Sequence, residues 1–104
     1  MANSTIKNPN ALSKQNTTNT PFKWYKFGRV VFCNFSANSI STTLVSGSNK
    51  ICDIPSGFEP ISGAESMDNI HSSRRIMFNS NGVESSEAIS NETIRGSVCY
   101  ISNN

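Results

Sequence analysis

Hydrophobic residues recur along this chain with a period of two. In "RVVFCNFSAN" (29–38), Val31, Cys33, Phe35 and Ala37 fall on one face and Val30 and Phe32 on the other, so the segment reads as a strand apolar on both sides in its N-terminal half. The preceding "PFKWYKF" ends at Gly28. Near the end, "ETIRGSVCYIS" places Ile94, Val98 and Tyr100 on one face and Cys99 and Ile101 on the other, the pattern of a closing strand covered on both sides. In "RRIMFNS" Ile76 and Phe78 share a face, and the segment runs into Asn81-Gly82, a pair that tolerates positive φ and predicts a tight hairpin with its return strand from Val83. "ISGAESMDNIH" predicts a strand of weak pattern, and the polar "SISTTLVSGSNK" leads into the apolar "ICDI".

Between these runs lies "ICDIPSGFEP" (51–60), which holds two of the four prolines. Proline lacks a backbone N–H, so neither Pro55 nor Pro60 belongs inside a hydrogen-bonded ladder. Gly57 permits a positive φ, and Phe58 is a large apolar side chain that a wholly solvated loop has little reason to carry. The stretch predicts a loop crossing between sheets, with Phe58 as its anchor.

Six to eight short strands with no helical period predict an all-β fold, an antiparallel β-sandwich or barrel. Composition agrees, since 39 of the 104 residues are Ser, Thr or Asn, which compete with a helical backbone for hydrogen bonds. Residues 1–21 lack apolar periodicity and read as a flexible polar linker or stalk remnant, leaving 22–104 as one domain. A domain of roughly 80 residues has a marginal core, so strands apolar on both faces predict self-association.

The net charge of +2 comes without a basic cluster beyond Arg74-Arg75, which argues against nucleic acid as a partner. No apolar run is long enough to span a bilayer, and no secretory h-region is visible, so membrane insertion is not expected and assembly in a cytoplasm is. Cys33, Cys52 and Cys99 are odd in number and widely spaced, which predicts buried free thiols, with Cys33 and Cys99 a possible pair if their strands are neighbours. No cofactor or metal is expected.

Chemistry has few candidates. His71 is the single histidine, with Asp68 three residues before it, and this spacing on a loop does not make a catalytic relay. None of the carboxylates is marked as a glycosidase pair. The Trp24-Tyr25 doublet, flanked by lysines, reads either as a sugar-stacking platform or as an edge strand with one ring packed inward. Residues 68–75 read as a solvated loop or as a hydrogen-bonding surface for hydroxyl-rich ligands through Asp68, His71 and Arg74.

Taken together, "WYKFGRVVF", "IPSGFEP", "IMFNSNGV" and "IRGSVCYI", in this order over residues 22–102, resemble the C-terminal head domains of bacteriophage tail fibre and baseplate receptor-binding proteins. The matching positions are Ile54, Pro55, Gly57, Phe58 and Pro60 in the middle motif, Asn81-Gly82 in the hairpin, and Gly96-Ser97 with Tyr100 in the last strand. The resemblance implies a jelly-roll-like homotrimer on the virion tail, assembled with other tail or baseplate proteins. It implies binding to a host cell-surface saccharide or protein receptor during adsorption, without enzymatic activity. Trp24, Tyr25, Asp68, His71 and Arg74 are the side chains with chemistry suited to a saccharide. A structural tail protein with no external ligand, or a polysaccharide depolymerase, are the competing readings.

Overall fold

The computed structural model describes residues 12–17, 21–71 and 73–103. Nine strands run through them: β1 (Leu12–Asn16), β2 (Phe22–Phe27), β3 (Val30–Ile40), β4 (Thr43–Val45), β5 (Ser48–Cys52), β6 (Ala64–Met67), β7 (Arg75–Asn79), β8 (Gly82–Ser85) and β9 (Glu92–Ile101). They form two antiparallel sheets, one in the order β1-β2-β3-β9 and the other in the order β4-β5-β8-β7-β6. The all-β sandwich expected from the period-two pattern is what these strands build.

Alternation explains which side chains meet. β2 turns Phe22 and Trp24 inward, β3 turns Val31, Cys33, Phe35 and Ala37 inward, and β9 turns Ile94, Val98 and Tyr100 inward; all are buried. Phe78 of β7 joins the sheets. Its ring centroid lies 5.9 Å from that of Trp24, 6.1 Å from Tyr100, 6.2 Å from Phe35 and 6.5 Å from Phe22, with the Trp24 and Phe22 contacts edge-on. Such aromatic pairs each add about 0.5–1.5 kcal/mol beyond the area they bury.

The Phe27↔Val30 register leaves Gly28 and Arg29 as a two-residue turn, and Gly28, with φ of 61°, takes the positive φ that the first position of a type II′ hairpin requires.

Four expectations are corrected. Leu12–Asn16, assigned to a flexible linker, pairs with β2, so the domain begins before residue 22; the remainder of 1–21 lies outside the described residues apart from Thr17 and Pro21. Nine strands in the described residues replace the expected six to eight, and the polar stretch after β3 contains the β4–β5 hairpin, turned by Ser46 and Gly47, both at positive φ. The β7–β8 turn is centred on Ser80 and Asn81, with Asn79 opposite Gly82, so the reversal comes one residue earlier than Asn81-Gly82. Gly82 still takes positive φ (122°), and a Cβ there would lie 2.6 Å from the Cys52 carbonyl oxygen. Asn81 contributes its N–H to Asn79 Oδ1 at 2.8 Å.

The fourth correction concerns the proline loop, which leaves β5 and enters β6, so it begins and ends in one sheet and touches the other on the way. Pro60 bridges Ser102, and the Ile61 N–H donates to the Ile101 carbonyl at 2.9 Å, which seats the loop on the edge of β9. Phe58 is buried against Trp24, with the Tyr100 hydroxyl donating to its carbonyl. Gly57 sits at φ 93°, where Lys26 Nζ reaches its carbonyl at 2.9 Å and its N–H reaches Glu59 Oε1 at 2.8 Å.

The thiols are free, but only Cys33 is buried. Cys52 is half-buried, with burial pushing its thiol up to about 11, and burial drives Cys33 higher still. Cys99 is exposed: Cys33 pairs with Val98, so the two cysteines sit diagonally on neighbouring strands and face opposite sides of the sheet.

Candidate functional site

The five side chains singled out from sequence separate into two groups. Asp68 follows β6 and Arg74 precedes β7, and the loop between them closes on itself through Asp68 N–H to the Arg74 carbonyl (3.1 Å) and Arg74 N–H to the His71 carbonyl (3.0 Å). The loop docks on β9 by Asn69 N–H to the Arg95 carbonyl at 2.7 Å. Asp68 Oδ1 accepts the Ile70 N–H at 2.9 Å and the Arg95 N–H at 3.4 Å, while Oδ2 accepts Arg74 Nη1 at 3.2 Å. Arg74 continues outward, its Nη2 donating to Glu92 Oε1 at 3.0 Å and its Nε to Glu87 Oε1 at 3.3 Å.

His71 completes this cluster. Its Nδ1 lies 3.2 Å from both Asp68 Oδ2 and Arg74 Nη1, and its Nε2 lies 3.5 Å from Glu92 Oε1. Nδ1 cannot donate to Asp68 and accept from Arg74 at once, so the tautomer selects one of the two bonds. Asp68, His71 and Arg74 therefore do converge, but Asp68 and Arg74 are buried and their polar atoms are spent on each other, on His71, Glu87 and Glu92, and on backbone. His71 alone of the three presents surface.

The electrostatics follow from these bonds. Burial pushes the Asp68 carboxyl up, but hydrogen bonds from the Ile70 N–H, His71, the Arg95 N–H and Arg74 outweigh it and hold the group below its ordinary range. Glu92 is lowered chiefly by its hydrogen bond from Arg74. Both are ionised at neutral pH.

Trp24 is not a stacking platform. Its ring is wholly buried among Phe22, Phe58 and Phe78, because alternation on β2 sends residues 22, 24 and 26 inward. Its Nε1–H is, among the described residues, the buried side-chain polar atom without a hydrogen-bond partner, so the indole serves as an apolar ring. Tyr25 faces the other way. It pairs with Phe32, itself opposite Cys99, four positions along β9 from Arg95, so Tyr25 stands apart from the His71 cluster.

A groove that none of those residues marks opens on the outward face of the four-stranded sheet. It has a volume of about 580 Å³ and is lined by Pro21, Lys23, Asn34, Phe35, Ser36, Asn38, Ile40 and Gly96. Lys23, Asn34, Ser36 and Asn38 are exposed by the alternation that buries Phe22, Cys33, Phe35 and Ala37. Gly96 pairs with Phe35, and a Cβ there would come within 2.5 Å of Phe35 Cζ and 2.9 Å of the Met67 carbonyl oxygen, so only glycine lets the Phe35 ring lie across β9. The groove ends beside the ionic cluster: Ile40 pairs with Glu92, and Asn38 Oδ1 accepts from Thr93 Oγ1 at 3.2 Å. The signal for it was present in "CNFSAN", whose polar residues recur at every second position on one strand face.

Amides, a hydroxyl and one ammonium arrayed along a sheet face offer donors and acceptors at strand spacing, which suits a ligand rich in hydroxyls. No protein-family profile, curated protein or solved structure matches this chain.

Proposed function

We propose that this chain is a non-enzymatic binding module of a bacteriophage or prophage tail that attaches to a host cell-surface saccharide. The resemblance of the ordered motifs in residues 22–102 supports the setting: a jelly-roll-like head, trimeric, carried on the virion tail with other tail or baseplate proteins. The observation that carries the saccharide reading is the row of Lys23, Asn34, Ser36 and Asn38 along the 580 Å³ groove, with His71 at the neighbouring loop. The site thereby shifts from Trp24 to the outward face of β2 and β3.

Binding without cleavage fits the charges beside the groove. Hydrolysis of a glycosidic bond calls for a carboxyl whose pKa is raised so that it can donate a proton near neutral pH. Asp68 and Glu92 are shifted the opposite way, and Glu87 bonds the same guanidinium. These carboxylates hold Arg74 in place.

Each site makes few contacts, so single-site affinity is modest and display in threes raises avidity by about 10²–10⁴ where the spacing matches the surface. The test is adsorption of the purified chain to host cells, competed by purified wall or capsule polysaccharide. An Asn34→Ala/Asn38→Ala protein is expected to adsorb at least about tenfold more weakly, and His71→Ala less so. If polysaccharide never competes, the saccharide reading falls and a protein receptor or a structural role replaces it. If it competes while the double variant binds like the parent, the groove is the wrong site.

A further inference from the structure

The outward face of the four-stranded sheet changes character along its strands. At the groove end it carries Lys23, Asn34, Ser36 and Asn38. At the opposite end the register lines up Leu12, Phe27, Val30 and Ile101 straight across all four strands, with Ile61 hydrogen-bonded beside Ile101. The next row inward is Tyr25, Phe32 and Cys99, with the uncharged Gln15 beside Tyr25 on β1. Leu12, Val30, Phe32, Ile61 and Ile101 are 37–57% exposed, and no charged side chain interrupts either row. An antiparallel sheet ordinarily turns a polar face to water.

We infer that this apolar half is the surface through which copies of this chain associate, and that its occupant is the same patch on a second copy. Eight side chains of this size, partly exposed, present roughly 600 Å² per chain, at the top of what a monomer's largest patch shows. Two such faces bury roughly 1,200 Å² together, the lower bound for a specific, stable interface. The face suits its own copy for a second reason: it holds no charge, so pairing it with itself leaves none unpaired. Assembly here also leaves the polar groove, at the far end of the same face, open to solvent. The inference names the contact behind the oligomer of the previous section, yet the two stand or fall separately, since stoichiometry tests the trimer and substitution tests the surface.

Light scattering on the full chain at micromolar concentration is expected to report a multiple of 11.3 kDa. Phe32→Lys and Ile101→Lys point outward and are expected to keep the melt and circular dichroism of the fold while lowering the mass to that of one chain. Asn34→Ala, at the polar end, is expected to leave the mass unchanged. A dimer lost in the lysine variants supports the surface and removes the trimer. A parent that is monomeric, or lysine variants that assemble like it, overturns the inference. Cys99 gives a readout that needs no variant: its alkylation is expected to slow at least about tenfold from dilute to concentrated protein, while buried Cys33 stays unreactive at both. A Cys99 rate independent of concentration also overturns it.

Discussion

Two loops leave and re-enter the five-stranded sheet, and they are held by opposite physics. The 53–63 loop is pinned by a ring: Phe58 sits against Trp24, Pro55 and Pro60 restrict the backbone, and the Tyr100 hydroxyl donates to the Phe58 carbonyl. The 68–74 loop is pinned by charge: Asp68 gathers two backbone N–H groups and Arg74, and Arg74 ties Asp68 to Glu87 and Glu92. Apolar anchoring is indifferent to pH. Ionic anchoring holds only while both partners keep their charge and loses most when one partner is removed. The loop beside the groove is the ionic one, which places the conditionally stable segment next to the proposed binding site.

The sharpest way to break this comparison is Phe58→Ala, expected to cost about 3–5 kcal/mol in denaturant or thermal unfolding through the lost burial and the cavity left behind. A variant as stable as the parent would show that the ring is not what holds the loop.

Arg74→Met comes next. It strands the buried Asp68 carboxylate without its cation, at a cost of about 3 kcal/mol, and adding Asp68→Asn is expected to recover part of the loss. A double variant no better than the single one would mean that the pair is not coupled.

The two loops should also part on a pH scan. Asp68 and Glu92 have folded values depressed below their ordinary 3.8 and 4.5, so they bind protons more readily in the unfolded chain. The stability they contribute is present above those values and is lost as pH falls through the lower folded ones. The parent is therefore expected to weaken below about pH 4. Asp68→Asn should flatten that loss, whereas Phe58→Ala should keep the parent's slope while sitting lower throughout. An Asp68→Asn profile parallel to the parent's would remove Asp68 as a source of acid sensitivity.

The smallest expected effect is Tyr100→Phe, which leaves the Phe58 carbonyl without its donor at a cost of about 1 kcal/mol. No change in melting would mean that the hydroxyl adds nothing to the anchoring that Phe58 packing and the Pro60–Ser102 edge already supply.

The contrast between the loops also governs what could be read in advance. Proline, glycine and an isolated phenylalanine carry their constraint locally, so "IPSGFEP" by itself specifies a shaped, anchored loop. Its destination was not legible, because a return to the same sheet and a crossing to the other leave the same local sequence. The ionic cluster was half legible: Asp68, His71 and Arg74 lie close in sequence, but Glu87 and Glu92 reach Arg74 only through the fold. Trp24 could be read either as a ligand platform or as an inward ring, because two adjacent aromatics on a strand point to opposite sides and sequence alone leaves open which side is the core.

What the sequence determined by itself is the period: alternating apolar positions at strand length, with turn residues between them, require two-sided strands, and Ser, Thr and Asn remove the helical alternative. Only the tertiary structure decided which face of each strand is inside, which strands are neighbours and how far the first strand reaches back toward the N-terminus. The reason is that a strand satisfies its hydrogen bonds and buries its apolar face only through partners distant in the chain, so Phe35 meets Gly96, and Arg74 meets Glu92, by a choice made between segments.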